Sequence, residues 1–128
     1  MAFWSKKKLF DVLSKEFKNN NISIDVDDNK LSFEVNCSDA GYNLYPYLKL
    51  NENESIMTIL INLRKIGKEN IYEKINSFNL VSKFYTMKLK DSILYLEYNV
   101  KVDNDNIYSI VMNSIDSIRE LQFEIEKV

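Results

Sequence analysis

The chain has 128 residues, of which 45% are hydrophobic, which is enough for the core of one ordinary domain. Its formal net charge of -2 gives no general attraction to nucleic acid or to an anionic membrane, so neither is expected as a partner. The absence of histidine removes the commonest general base and metal ligand. The single cysteine, Cys37, excludes an internal disulfide and suits a reducing compartment.

The sequence has no apolar run of the roughly 18 residues that a membrane-spanning helix needs, so no membrane span is expected. The opening segment MAFWSKKKLF has charges after its apolar residues and no small-residue cleavage site, unlike a signal peptide. A cytoplasmic location is therefore predicted. Trp4 and the lysines at 6–8 could anchor the chain to a membrane or nucleic acid, but a solvated helix start explains so short a triplet better.

Helical spacing of Leu9, Phe10, Leu13 and Phe17 predicts a first helix over residues 5–19. Apolar and polar residues then alternate in segments separated by polar turns, which is typical of half-buried strands. Four such strands are predicted, over residues 22–26, 31–37, 42–50 and 56–63. Pro46 cannot donate a ladder hydrogen bond, which places the third strand at an edge or a bulge.

Gly67 marks a break before a predicted second helix, residues 68–78. A hairpin over residues 83–102 follows, with its turn at Asp91–Ser92, and a strongly periodic helix then runs to about Lys127. The element order is α-β-β-β-β-α-β-β-α. It predicts a single α+β domain over residues 1–128, in which a mostly antiparallel sheet of about six strands packs with three helices.

This element order resembles that of the YbjN family of bacterial proteins, which share the type III secretion chaperone-like fold. The segments on which this resemblance rests lie in residues 68–128. Ile75-Asn76-Ser77-Phe78-Asn79 is similar to the helix-end signature of the family, and the hairpin Phe84 to Val100 and the cap segment Asp103–Asn106 follow in the same order. The resemblance implies a non-catalytic, protein-binding or regulatory role, often dimeric, with no cofactor.

Alternation along the strands divides the sheet into two faces. The face expected under the helices comprises Ile24, Phe33, Val35, Leu44, Leu48, Ile59, Ile61, Met87, Leu89, Leu96 and Tyr98. The opposite face is polar in the first two strands but mixed in the others. Its aromatic and aliphatic residues are the predicted partner-binding surface: Tyr45, Tyr47, Ile56, Leu60, Phe84, Ile93 and Tyr95. A helix that covers this face, or a register shifted by one residue, is the alternative interpretation.

No constellation for chemistry is recognisable in the sequence. Cys37 has no histidine to activate it and is expected in the core. The acidic residues at 25, 27 and 28 lack the spacing and glycine of a calcium loop and indicate a turn. Asp103 and Asp105 are expected to cap the last helix. Catalytic, cofactor-binding and metal-binding residues are therefore not predicted.

The leading hypothesis is a protein-binding or chaperone-like module that forms a homodimer through its aromatic sheet face. A second hypothesis is a small inhibitor or accessory protein, for example from a mobile element, that binds and blocks a host enzyme. The third and weakest hypothesis is an enzyme, since the sequence shows no catalytic residue types at a spacing that would bring them together.

Overall fold

A computed structural model of the chain describes residues 6–20, 22, 24–26, 30–51 and 53–128, and it confirms the α+β class. Ser5, Trp4, Ser23 and the predicted turn at 27–29 lie outside the described residues. The elements in chain order are α1 (Lys6–Asn19), β1 (Ile24–Val26), β2 (Leu31–Phe33), β3 (Val35–Cys37), β4 (Tyr42–Leu44), β5 (Tyr47–Asn51), β6 (Ile56–Ile66), α2 (Ile71–Val81), β7 (Thr86–Lys90), β8 (Ile93–Lys101), α3 (Ile107–Glu120) and α4 (Gln122–Glu126).

Six of the strands form one antiparallel sheet in the order β1-β2-β5-β6-β8-β7, and β3 and β4 pair separately. The inner face of this sheet packs under the helices as predicted. All eleven residues expected on the inner face are buried or half-buried in one hydrophobic core, although Val35 and Leu44 belong to the separate β3–β4 pair. The stripe of α1 joins the same core, where the ring of Phe17 lies 5.3 Å from that of Phe33.

The second and third predicted strands are each divided into two by a bend in their hairpin. β2 pairs with β5 and β3 pairs with β4, and Pro46 lies between the two ladders. Pro46 has no N–H to continue the ladder, but its carbonyl accepts from the N–H of Phe33 at 3.0 Å. The bend brings the β3–β4 tip onto the C-terminal helices, where Gln122 accepts from the N–H of Ala40 at 3.0 Å and from the hydroxyl of Tyr42.

Strand β6 continues three residues beyond its predicted end, and α2 begins three residues after its predicted start. The β6–β8 ladder resumes after a bulge, and the N–H of Gly67 donates to the carbonyl of Ser92 at 2.8 Å. A Cβ on Gly67 would lie 2.8 Å from Cδ1 of Leu89, so glycine permits this close approach. The predicted second helix is present, and α2 buries one stripe formed by Ile71, Ile75 and Phe78.

The free edge of β7 is closed by a side chain of α2. The Asn79 carboxamide accepts from the N–H of Met87 at 2.7 Å and donates to the carbonyl of Met87 at 3.3 Å. Next to it, the N–H of Tyr85 donates to Oγ of Ser82 at 3.2 Å. These side chains occupy the outward backbone groups that a strand from another molecule would otherwise pair with.

We expect Asn79→Leu to lower the free energy of unfolding by about 1–3 kcal/mol, because it leaves the N–H and C=O of Met87 without their partners. Aggregation at high protein concentration should rise as well, because the edge of β7 becomes available. Asn76→Leu is the matched control, since Asn76 is exposed on the same helix. Urea denaturation and light scattering measure both effects, and equal behaviour of the two variants would contradict the edge-closing role.

The β7–β8 hairpin turns through Asp91 and Ser92, which have φ angles of 51° and 66°. Two consecutive left-handed residues make a type I′ turn, which matches the twist of the strands but favours Asn-Gly. The predicted turn position is therefore confirmed, in a conformation that Ser92 adopts with strain.

We expect Ser92→Gly to raise the free energy of unfolding by about 0.5–1 kcal/mol, because glycine adopts a positive φ without steric cost. Ser77→Gly, at an exposed position inside α2, should instead lower it by about 0.5 kcal/mol. Thermal or urea unfolding distinguishes the two. Destabilisation by Ser92→Gly would show that the turn is not strained.

Candidate partner-binding face

The side of the sheet turned away from the helices is here named the outer face. Cα pairing places Tyr47, Leu60, Glu97 and Thr86 in one row across β5, β6, β8 and β7. By alternation and pairing from this row, the outer face of these four strands comprises Tyr47, Lys49, Asn51, Ile56, Thr58, Leu60, Asn62, Ile66, Thr86, Lys88, Lys90, Ile93, Tyr95, Glu97, Asn99 and Lys101. It contains five of the seven predicted partner-binding residues: Tyr47, Ile56, Leu60, Ile93 and Tyr95.

These five apolar and aromatic side chains are all half-buried, which means that neighbours on the same face cover part of each. These aromatic and aliphatic side chains lie among polar ones, so the surface is mixed and not a continuous apolar patch. Among the described residues, α1, α2, α3 and α4 all place their buried side chains in the core on the inner side. The possibility that a helix covers the outer face is thus not realised in the described part of the chain.

A chain of polar contacts crosses the outer face from β7 to β6. The ammonium of Lys88 pairs with the carboxylate of Glu97, to which the amide of Asn99 also donates at 3.1 Å. Oγ1 of Thr58 in turn donates to Oδ1 of Asn99 at 2.6 Å. Such cross-strand pairs fix side-chain positions on the sheet surface.

Tyr47 is flanked by two lysines, whose ammonium nitrogens lie 5.0 Å (Lys30) and 5.5 Å (Lys49) from its ring centroid. Between Tyr47 and Tyr95 lies a shallow depression of about 440 Å³, lined also by Leu60, Lys88, Lys90, Asp91 and Glu97. The floor is apolar and aromatic and the rim is charged, as in protein interfaces, which have a hydrophobic centre and a polar rim.

Two predicted partner-binding residues do not belong to the outer face. Tyr45 lies in the bend before β5, is 54% exposed, and places its ring 6.0 Å from the guanidinium of Arg64. Phe84 contacts the ring of Tyr98 at 5.5 Å between centroids, and Tyr98 belongs to the inner face. Both residues lie outside the strands, so the register of the ladder does not assign either of them to the outer face.

Several of the most exposed apolar side chains were missed by strand reasoning because they lie on helices, although Ile66, 67% exposed, ends strand β6. Tyr72, Leu80 and Val81 of α2 are 70%, 86% and 54% exposed, and Phe123 of α4 is 50% exposed. The signal was available in the sequence: Leu80 lies opposite the stripe of Ile71, Ile75 and Phe78 on a helical projection. Single apolar residues on a helix surface are common and do not by themselves make a site.

The described residues offer little for catalysis. Cys37 is fully buried, and burial raises the pKa of its thiol, which disfavours the reactive thiolate. Within the described residues, no three carboxylate or thiol groups come together as a metal site would require. None of the described helices combines the length and apolar character needed to cross a bilayer.

Comparison of the chain with protein-family models, with curated proteins and with solved structures found no match in any of the three.

The Lys88–Glu97 pair should make stability depend on pH in the acid range. Hydrogen bonds from Lys88 and Asn99 hold the pKa of Glu97 below its usual range of about 4.3. A lowered folded-state pKa adds stability above the unfolded-state pKa, and this stability is lost as pH falls through the folded-state value.

We expect a double-mutant cycle of Lys88→Met and Glu97→Gln to give a coupling of about 0.5 kcal/mol at pH 7, since Lys88 is largely solvent-exposed. The coupling should be smaller at an acid pH below the lowered folded-state pKa of Glu97, where its carboxyl is protonated. Urea denaturation of the four proteins at both pH values measures it. A coupling that persists unchanged in acid would show that the two side chains interact through packing and not through charge.

Proposed function

We propose that this chain is a non-catalytic, protein-binding module that holds its partner on the outer face. The observation that carries the proposal is the open, ordered surface of β5, β6, β8 and β7, which joins Tyr47, Leu60 and Tyr95 around one depression. Tyrosine gives a large contact area and a polar hydroxyl at little cost in conformational entropy, which suits a binding surface.

The resemblance to the YbjN family belongs to this proposal, because a type III secretion chaperone-like protein of bacterial origin would act by holding another protein. A cytoplasmic site of action fits a chain with a single, buried cysteine. The lack of histidine and the buried thiol support a role without catalysis.

The charge of the outer face bears on the kind of partner. On β5, β6, β8 and β7 the outer face carries Lys49, Lys88, Lys90 and Lys101 against the carboxylate of Glu97, with Asp91 beside the depression, so this face is more basic than the whole chain, whose net charge is -2. Two copies of this face would bring like charges together, which costs free energy and slows association. An acidic surface on a different protein would complement it, so we favour an accessory or inhibitory role towards such a partner.

Self-association is the second candidate, supported by the tyrosines at the centre of the face. In a two-fold symmetric dimer the same residues would meet from both copies. The two candidates make different demands on the face, because only the homodimer must overcome the repulsion between its lysines.

Tyr95→Glu tests the proposal, because it places a carboxylate in the centre of the depression and should oppose an acidic partner. Immobilised wild-type protein is expected to retain an acidic protein from an extract of the source cell, and the purified partner should bind Tyr95→Glu at least about tenfold more weakly. Tyr72→Glu is the matched control, since Tyr72 is exposed on α2 away from the outer face.

Size-exclusion chromatography with light scattering, run on the same three proteins, tests self-association. A wild-type dimer that Tyr95→Glu dissociates and Tyr72→Glu leaves intact would favour the second candidate. A monomer that retains no protein, or retains the same proteins in both variants, would overturn the use of the outer face in binding.

A further inference from the structure

A second candidate site lies at the far end of β6, where two depressions adjoin. One, of about 330 Å³, is lined by Tyr42, Leu44, Tyr45, Leu63 and Ile125 among others. The next, of about 500 Å³, is lined by Ile66, Ile71 and four basic residues. Arg64, Lys65 and Glu126 line both, so one depression leads into the other. Their volumes are those of sites for small molecules.

The second depression concentrates positive charge. Arg64, Lys65, Lys68 and Lys74 face it, together with one acidic side chain, that of Glu126, and with Val128, whose main-chain oxygen lies 3.5 Å from Nζ of Lys65. Burial lowers the pKa of Lys65, the charge of Glu126 opposes that shift, and the charges of Lys74 and Lys68 add to it. These ammonium groups are therefore close enough to repel one another. An anion with more than one charge would relieve that repulsion.

Arg64 lies in a bulge of β6 and has a strained backbone conformation. Between the pairs Asn62–Tyr95 and Ile66–Ile93, β6 advances four residues while β8 advances two, so β6 bulges. Arg64 has a φ of 54°, and its N–H donates to Oδ1 of Asn62 at 2.7 Å. A non-glycine residue in this region of φ is uncommon and, at a bulge, points to a functional placement.

The neighbouring depression supplies an apolar wall. The ring of Tyr45, 54% exposed, lies 6.0 Å from the guanidinium of Arg64. The exposed ring can stack against a planar or apolar group of a ligand, while Arg64 offers a planar set of N–H donors that suits phosphate.

We propose that the two depressions together form a binding site for a small organic phosphate. Its phosphate group lies among Arg64, Lys68 and Lys74, and its aromatic or apolar part lies against Tyr45. Lys65 is not assigned to the phosphate. Its ammonium donates to the carbonyls of Ile125 at 3.2 Å and Glu126 at 2.9 Å, and so fixes the end of α4 against β6.

Isothermal titration with adenosine monophosphate and with inorganic phosphate tests the proposal, the first probe having an aromatic base and the second none. We expect saturable binding of adenosine monophosphate and weaker binding of inorganic phosphate. Lys68→Gln/Lys74→Gln should weaken both by about tenfold or more, since charge-assisted hydrogen bonds to phosphate are lost. Tyr45→Ala should weaken adenosine monophosphate alone.

Two further variants sharpen the test. Lys7→Gln/Lys15→Gln removes the same charge from exposed positions of α1 and should leave both affinities unchanged. Glu126→Gln removes the acidic side chain that faces the site and should tighten the binding of both probes, an effect that damage to the fold would not produce.

Three results would overturn the proposal. The first is the absence of saturable binding by adenosine monophosphate. The second is an equal loss of affinity in the α1 control pair, which would mean diffuse attraction by net charge. The third is equal affinity for the two probes with no effect of Tyr45→Ala, which would exclude an organic ligand in the apolar depression.

Discussion

Strand β6 holds the sheet together, because it pairs with β5 along one edge and with β8 along the other. Its inner residues Met57, Ile59 and Ile61 are completely buried, and each contributes about 1.5–3 kcal/mol by leaving water. A slip of one residue would turn all of them outward, so this register is strongly specified. The same register decides which residues form the outer face.

The outer face follows from that register together with the position of the helices. Since every described helix contributes to the inner core, the helices leave the other side of β5, β6, β8 and β7 to solvent or to a partner. The bend at Pro46 sets a boundary to this surface, because it separates Tyr45 from Tyr47 and carries β3 and β4 towards α4. The bend at Pro46 thus lies between Tyr47 on the outer face and Tyr45 in the apolar depression beside Arg64.

Sequence periodicity predicted those parts of the structure that depend on local burial. The helical stripe of α1, the inner-face residues and the turn at Asp91–Ser92 were all recognisable, because period 3.6, period 2 and a short polar break each have a direct physical cause. At Pro46 the sequence predicted only an edge or a bulge. The direction of the bend depends on the contact of Tyr42 with Gln122, which is 80 positions away and leaves no local pattern in the sequence. Five of the seven residues predicted for the candidate face lie on it because they belong to the ladder, where alternation applies, whereas Tyr45 and Phe84 lie outside the strands.

The bulge in β6 could not be predicted from alternation. The hydrogen bonds that stabilise it explain the bulged backbone but not the presence of arginine at position 64. Lys65 gains hydrogen bonds to the carbonyls at the end of α4, where a positive charge also interacts favourably with the helix dipole. That gain offsets a left-handed residue, which costs on the order of 1–3 kcal/mol. It does not account for the residue found at that position, because asparagine or glycine would adopt a φ of 54° at lower cost than Arg64. A guanidinium at this position, exposed beside Tyr45 and in the same depression as Lys68 and Lys74, fits the proposed site for an organic phosphate.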